Sequence, residues 1–393
     1  MHRVTGPVER ARIAQGGRRG PDAALLATVN PRIDPDPDDP SGALWTWVID
    51  APEATAVALW TSAVFDHRDV TAAEFSRLPD STLWTICLRL PAALRTAYRI
   101  AVWCEPGPAP WRTAAGRRPV ILAAMAAGAA DERCPDAMGG ADGRPVSVAA
   151  GPAAPREPWR GMTPARRTGS RVDAVPLAHG ERAWVYHPGR APAPTPLLVL
   201  FDGQMWRELG LPGLLDGLIA SGRLPALHVA MLDSGDADAR WERLGVPGGQ
   251  VHTVLDELLP RVRSGWPVDA AGAATLVAGQ SLGGLAALWT LALGQGEVRR
   301  AIAQSPSLWR FSIVDALLDE PRWDALTLEA GTFEPDMLRD VHEAAATLLA
   351  DARRADRAVH VHTFEAGHDW AAWRVHLLRA LASQLGDSPA ATR

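Results

Sequence analysis

Between Thr275 and Ala287 a short apolar run, Leu276 to Ala278, breaks at Gly279-Gln280-Ser281-Leu282-Gly283-Gly284. It then resumes as a small-residue helix, Leu285-Ala286-Ala287-Leu288-Trp289. A strand that passes into a helix through so few residues must turn sharply. Bulk is excluded two positions before and two after the serine, where Gly279 and Gly283 stand. This is the G-x-S-x-G form of a nucleophile elbow, which holds a serine at the end of a buried strand and at the positive end of the following helix. The plainer alternative is a glycine-rich turn with a capping serine.

The flanking chain shows what kind of sheet this strand belongs to. Arg182 to Tyr186, Pro196 to Phe201, Leu227 to Leu232, Arg300 to Gln304, Ala325 to Glu329 and Val359 to Thr363 read as strands. Helical stretches lie among them at Leu214 to Ala220, Val251 to Arg263, Asp336 to Arg354 and Trp370 to Leu385. Nearly all-apolar strands alternating with helices predict an α/β fold, a mostly parallel sheet covered on both faces. Ligands of such sheets gather at the carboxyl ends of the strands, where Ser281 falls.

The first half has a different period. Leu44 to Ile49, Ala56 to Trp60, Leu83 to Leu90 and Thr96 to Val102 alternate as strands separated by turn residues, which predicts a small β-sandwich. Trp45, Trp47, Trp60 and Trp84 are expected in its core rather than on a glycan-binding face. The expected organisation is an irregular lead-in at 1–40, with a short helix near Val8 to Ala14. A sandwich follows at 41–150, then a linker at 151–172 and the α/β domain at 173–393. The Pro-, Gly- and Arg-rich stretch from Glu105 to Arg171 reads as an extended connection with one short helix.

Composition excludes several classes. A net charge of -5 argues against a protein built to coat nucleic acid, and all 40 basic residues are arginine. Three cysteines without C-x-x-C spacing imply neither a disulfide framework nor a zinc site. No run reaches the ~18 apolar residues of a membrane span. Met1-His2-Arg3-Val4-Thr5-Gly6-Pro7 has no apolar core of an export signal, so the cytoplasm is the expected location.

A serine hydroxyl needs a base, and the base needs a third group to orient it. In this arrangement the chain order is serine, acid, histidine. His228, His360 and His362 fall within strands, and His342 and His376 within helices. His368 instead sits in Glu365-Ala366-Gly367-His368-Asp369-Trp370, a glycine-marked loop after the last strand, and is the expected base. Glu334 is the first choice of acid, three residues past Gly331. Asp336 is second, and a serine–histidine dyad is a further alternative. The oxyanion would be held by the amides of Leu282 and Gln204, the latter in Phe201-Asp202-Gly203-Gln204-Met205-Trp206. No metal or cofactor is required.

Several of these blocks resemble the enterochelin (enterobactin) esterase family. They are Leu200 to Trp206, Gly279 to Gly284, Gln304-Ser305-Pro306-Ser307-Leu308-Trp309, Glu329-Ala330-Gly331 with Glu334-Pro335, and Gly367 to Trp370. The first half is similar to that family's N-terminal sandwich through Ser76-Arg77-Leu78-Pro79, Leu83-Trp84 and Leu90 to Tyr98. The resemblance implies an α/β-hydrolase preceded by a sandwich, and hydrolysis of a ferric catecholate trilactone siderophore, with Ser281 and His368 as nucleophile and base. One block departs from the family. Arg240-Trp241-Glu242-Arg243-Leu244 has Arg243 where the family commonly has Glu. The substrate is a bulky trianion, so Arg240 or Arg243 with the faces of Trp206, Trp309 and Trp370 is expected at the mouth of the site. The rival readings are a feruloyl-type or general carboxylic esterase of the same fold, and a non-catalytic carbohydrate- or siderophore-binding protein. No oligomeric state is implied.

Overall fold

The computed structural model describes residues 2–14, 22–162, 169–189, 191–244, 246–320, 322–355 and 357–386. The chain forms two compact units, one of Met1–Pro155 with Glu365–Ala372, the other of Arg156–Phe364 with Trp373–Arg393.

The first unit holds two antiparallel sheets. Its strands are β1 (His2–Arg3), β2 (Arg32–Pro35), β3 (Gly42–Asp50), β4 (Ala56–Thr61), β5 (Ser76–Arg77), β6 (Leu83–Pro91), β7 (Arg95–Trp103), β8 (Gly128–Ala129), β9 (Ala137–Gly139) and β10 (Pro145–Ala150). One sheet runs β1-β6-β3-β2 with β5 on β6, and the other runs β4-β7-β10-β9 with β8 on β7. Trp45 and Trp47 share a face of β3 because side chains alternate along a strand. Trp47 meets Tyr98 of the other sheet edge-on, with centroids 5.8 Å apart, so the inner faces of a sandwich interlock there. Trp45 and Trp47 are fully buried, as expected of core residues.

Two expectations for the first half are corrected. Residues 1–40 are not irregular throughout, since β2 pairs with β3 from Arg32↔Thr46 to Pro35↔Ala43. From Glu105 to Ala150 the stretch is not an extended connection. It forms a helix at Arg117–Ala127 and then the β9–β10 hairpin, which completes the second sheet. The cause is a buried cation. Arg99 of β7 has a fully buried side chain and donates to both Asp142 carboxylate oxygens at 2.6 Å and to the Arg144 carbonyl at 2.8 Å. Arg99 lies on the face of β7 opposite Tyr98, where it also donates to the Met125 carbonyl of the Arg117–Ala127 helix. A guanidinium buried there requires such partners, and the hairpin turn supplies them.

The second unit is an eight-stranded sheet. Its strands are β11 (Arg171–Pro176), β12 (Arg182–His187), β13 (Leu197–Leu200), β14 (His228–Leu232), β15 (Thr275–Gln280), β16 (Arg300–Gln304), β17 (Ala325–Gly331) and β18 (Ala358–Phe364). Their order is β11-β12-β14-β13-β15-β16-β17-β18. β12 is antiparallel to both neighbours and the remaining pairs are parallel. Strands β13, β14 and β15 are buried along their whole length, as a sheet covered on both faces requires. From β13 the chain steps outward to β14 and then crosses back to β15. The carboxyl ends of β13 and β15 therefore lie side by side where the winding reverses, which is where such sheets place a ligand crevice.

Candidate active site

Ser281 follows β15 with φ 57° and ψ -119°, a left-handed backbone that only a tightly held turn imposes on a serine. The turn tolerates no side chain at Gly279, where a Cβ would stand 2.1 Å from the Gly283 carbonyl oxygen. Three backbone bonds fix the elbow. Ser281 donates to the Gln304 carbonyl at 3.0 Å, and its own carbonyl accepts from Ser307 at 3.0 Å and from Leu285 at 3.1 Å. The Ser281 and Ser307 hydroxyl oxygens stand 3.4 Å apart.

Beside the elbow is the loop after β13. Asp202 has φ 56°, and the Gly203–Glu208 helix begins immediately afterwards. Gly203 is required by close approach, since a Cβ there would lie 2.4 Å from the Met231 carbonyl carbon of β14. The Gln204 side chain ties the loop to the end of β14, accepting from the Ser234 amide at 3.1 Å and donating to the Gly235 carbonyl at 3.3 Å. The Gln204 and Leu282 amides both belong to first turns of helices, where backbone geometry offers them no intrahelical acceptor.

Arg240 corrects one expectation. Its guanidinium is not held out toward a ligand. It grips buried Asp202 with Nε at 2.7 Å and Nη2 at 2.8 Å, and donates to the Gln280 carbonyl at 3.3 Å. Burial opposes its charge, yet the Asp202 carboxylate outweighs that cost and holds the guanidinium above its ordinary value. Trp206 is a second correction. It is fully buried, and its indole N–H reaches Gln280 Oε1 at 3.2 Å, so it supports the elbow from beneath and lines no mouth. Neither pairing is visible in sequence, because both depend on which helical face turns inward. Trp309 is exposed.

Glu334 lies in the loop after β17 and is buried. Its Oε2 accepts from the Ser305 hydroxyl at 2.6 Å and from the Gly331 amide at 3.0 Å. Ser305 in turn accepts from the Trp373 indole at 3.1 Å, and its backbone donates to the Glu329 carbonyl at 2.6 Å. Ser305 thus links the carboxylate to the loop stitched to Ser281. Asp336 differs, with a side chain 83% exposed and paired with Arg339. Beneath the site a buried chain runs from Gln280 Nε2 to Gln304 Oε1 at 2.9 Å, and from Gln304 Nε2 to Glu329 Oε2 at 2.6 Å. Burial pushes the Glu329 carboxyl up to about 7.

His368 and Trp370 lie on the Glu365–Ala372 segment of the first unit. His368 is exposed, and the residues on either side of it are buried. Asp369 Oδ2 accepts from the Ala97 amide at 2.6 Å, Ser62 Oγ at 2.7 Å and Thr96 Oγ1 at 3.2 Å, while Oδ1 takes the Ala371 amide at 2.9 Å. In sequence Asp369 reads only as an acid not expected to reach around to the ring of the adjacent His368. Its part as an anchor of the loop is not legible there beyond its position next to a glycine-flanked histidine and ahead of a helix. His228, by contrast, is a core residue. It is fully buried, its Nδ1 lies 2.6 Å from Thr195 Oγ1, and burial pushes it down to about 4.

A mainly parallel sheet with a left-handed serine at the winding reversal, between two helix-initiating loops, defines an α/β-hydrolase. Residues 182–383 match the family described as Putative esterase, and residues 46–160 match Enterochelin esterase, N-terminal. The chain belongs to the esterase family, and its first half carries the enterochelin esterase N-terminal match. It is 26% identical to an iron(III) enterobactin esterase of Escherichia coli O6:H1, over 82% of this chain and 84% of that one. It is 27% identical to an iron(III) salmochelin esterase of the same organism, over 82% of each. The crystal structure of ferric enterobactin esterase from Salmonella typhimurium shares the fold, with a TM-score of 0.77 at 23% identity, covering 92% of this chain and 98% of that one. Among the described residues no helix is long and apolar enough to cross a membrane.

Proposed function

We propose that this enzyme hydrolyses the ester bonds of a ferric catecholate trilactone siderophore and so releases iron in the cytoplasm. In this reading Ser281 attacks the ester carbonyl and His368 takes its proton, with Glu334 orienting the imidazole. The tetrahedral oxyanion is held by the Leu282 and Gln204 amides. His368 then protonates the departing serine alkoxide of the lactone, and water admitted to the same site cleaves the acyl-enzyme. The observation that carries the reading is the strained Ser281 backbone beside the Asp202–Gln204 loop, a geometry with a catalytic use and a structural cost. The names of the curated relatives, enterobactin and salmochelin esterases, support the substrate class. No cofactor of the protein's own enters the scheme.

The test is incubation with ferric enterobactin, apo-enterobactin and p-nitrophenyl butyrate beside a Ser281→Ala control. Dihydroxybenzoyl-serine products that vanish in the control are expected. Turnover of the nitrophenyl ester alone means a general esterase, and no turnover of any substrate means a binding protein.

A further inference from the structure

Two large indoles of the second unit stand in solvent, Trp309 56% exposed and Trp241 44%. Single exposed apolar residues need no explanation, but these form a cluster. Their centroids lie 6.1 Å apart with planes at 33°. The Arg310 guanidinium carbon sits 4.1 Å from the Trp241 ring centre and 5.6 Å from that of Phe311.

The cluster is fastened to the nucleophile at two points. Trp309 and Arg310 continue the loop in which Ser307 donates to the Ser281 carbonyl, and Arg310 closes the turn by donating to the Ser307 carbonyl, both at 3.0 Å. Trp241 follows Arg240, whose guanidinium reaches the Gln280 carbonyl and Asp202. Both indoles are therefore held by residues that contact the elbow on its two flanks.

Indole faces attract flat rings in offset or tilted stacks, and a guanidinium beside them adds positive charge in a rigid plane. The combination suits an aromatic ring bearing anionic oxygens. We propose that Trp241, Trp309 and Arg310 form an aryl subsite that binds the catechol ring of the substrate's acyl arm. The identity of that ring rests on the siderophore esterase reading, whereas the stacking surface does not. Trp241 belongs to the block in which this chain departs from the family pattern, so the subsite also locates where its substrate preference is set.

The experiment is calorimetric titration of 2,3-dihydroxybenzoyl-serine into the full chain and its variants. Trp241→Ala and Trp309→Ala are each expected to weaken binding about 3- to 10-fold. Trp241→Phe and Trp309→Phe, which keep a ring, should recover most of the loss. Arg310→Gln should weaken binding and flatten its salt dependence. Unchanged affinity in the double alanine variant, or no binding to the wild type, overturns the subsite. A wild-type dimer in sedimentation that the double variant abolishes, with probe affinity intact, overturns it in favour of a contact between copies. Failure of the siderophore reading shows separately, as wild-type cleavage of methyl butyrate without cleavage of the trilactone.

Discussion

Arg240 and Asp202 face each other in a two-pronged ion pair, Nε to Oδ1 at 2.7 Å and Nη2 to Oδ2 at 2.8 Å, immediately beside the serine elbow. Asp202 opens the loop that carries Gln204, and a Cβ on Gly283 would stand 3.0 Å from Asp202 Oδ2. The pair therefore sets the distance between the two strand ends that carry the proposed oxyanion donors, Leu282 and Gln204.

A pair used for positioning and one used for substrate binding predict different kinetics. Arg240→Lys keeps the charge and loses the fork, so kcat is expected to fall about 10- to 100-fold, as for a displaced oxyanion donor, with KM little changed. The fall should be equal for ferric enterobactin and for uncharged p-nitrophenyl butyrate. A rise in KM confined to the anionic substrate would return Arg240 to the mouth of the site. Arg240→Ala strands a buried carboxylate and should cost roughly 3–5 kcal/mol in urea unfolding, part of which Asp202→Asn restores in the double variant.

For the proposed catalytic groups, Ser281→Ala is expected to abolish ester turnover, and His368→Ala to lower it by several orders of magnitude. Glu334→Gln should cost less. It keeps an acceptor for Ser305 and Gly331 but loses the charge that stabilises an imidazolium. Asp336→Asn should be close to wild type, because Asp336 is a surface residue paired with Arg339. Steady-state kinetics of the four variants decide the assignment, and an Asp336→Asn defect larger than that of Glu334→Gln reverses it.

Asp369 anchors the loop that carries His368, and in the proposed mechanism it would position that histidine. Asp369→Ala leaves the Ala97 and Ala371 amides without their carboxylate acceptor and should destabilise the protein by roughly 2–3 kcal/mol. Asp369→Asn keeps one acceptor oxygen and should recover part of that. Hydrogen exchange at Ala97 and Ala371 is the direct readout, and protection equal to wild type in Asp369→Ala would exclude the role.

Much of this architecture is legible from local signals. All-apolar strands such as Leu276 to Ala278 and the glycine at 279 require no distant partner to be interpreted, since the turn itself forbids bulk at 279, whereas Gly283 is crowded by Asp202 and Phe201 of the neighbouring loop. The β9–β10 hairpin was missed because its strands are short and alanine-rich. Its real cause, the buried Arg99 guanidinium, lies 43 residues before Asp142. The same limit explains Arg240, which reads as a free cation until Asp202, 38 residues earlier, is placed against it. The loop at Glu365–Ala372 was correctly placed after the last strand, but the residues that clamp it, Ser62 and Thr96 to Ala97, come from the other end of the chain. Pairings of this kind are set by tertiary structure and leave no periodic trace.

Glu329 gives a prediction with a definite sign. It is fully buried, accepts from Gln304, and is pushed up by burial from its ordinary value of 4.5 to about 7. The unfolded chain releases this proton near 4.5, while the folded protein keeps it until about 7. Between these values the folded state holds the extra proton, so raising the pH there favours unfolding. The contribution of Glu329 is thus fully present below pH 4.5 and is lost as the pH rises through about 7. Glu329→Gln preserves an acceptor for the Gln304 amide and cannot ionise. Its stability relative to wild type should climb between these limits by roughly 1–3 kcal/mol and level off above them. Urea unfolding at a series of pH values from acid to mildly alkaline reads this difference directly. A difference that does not vary with pH would mean that Glu329 is already ionised in the folded protein, with a charge compensated by groups such as Arg379.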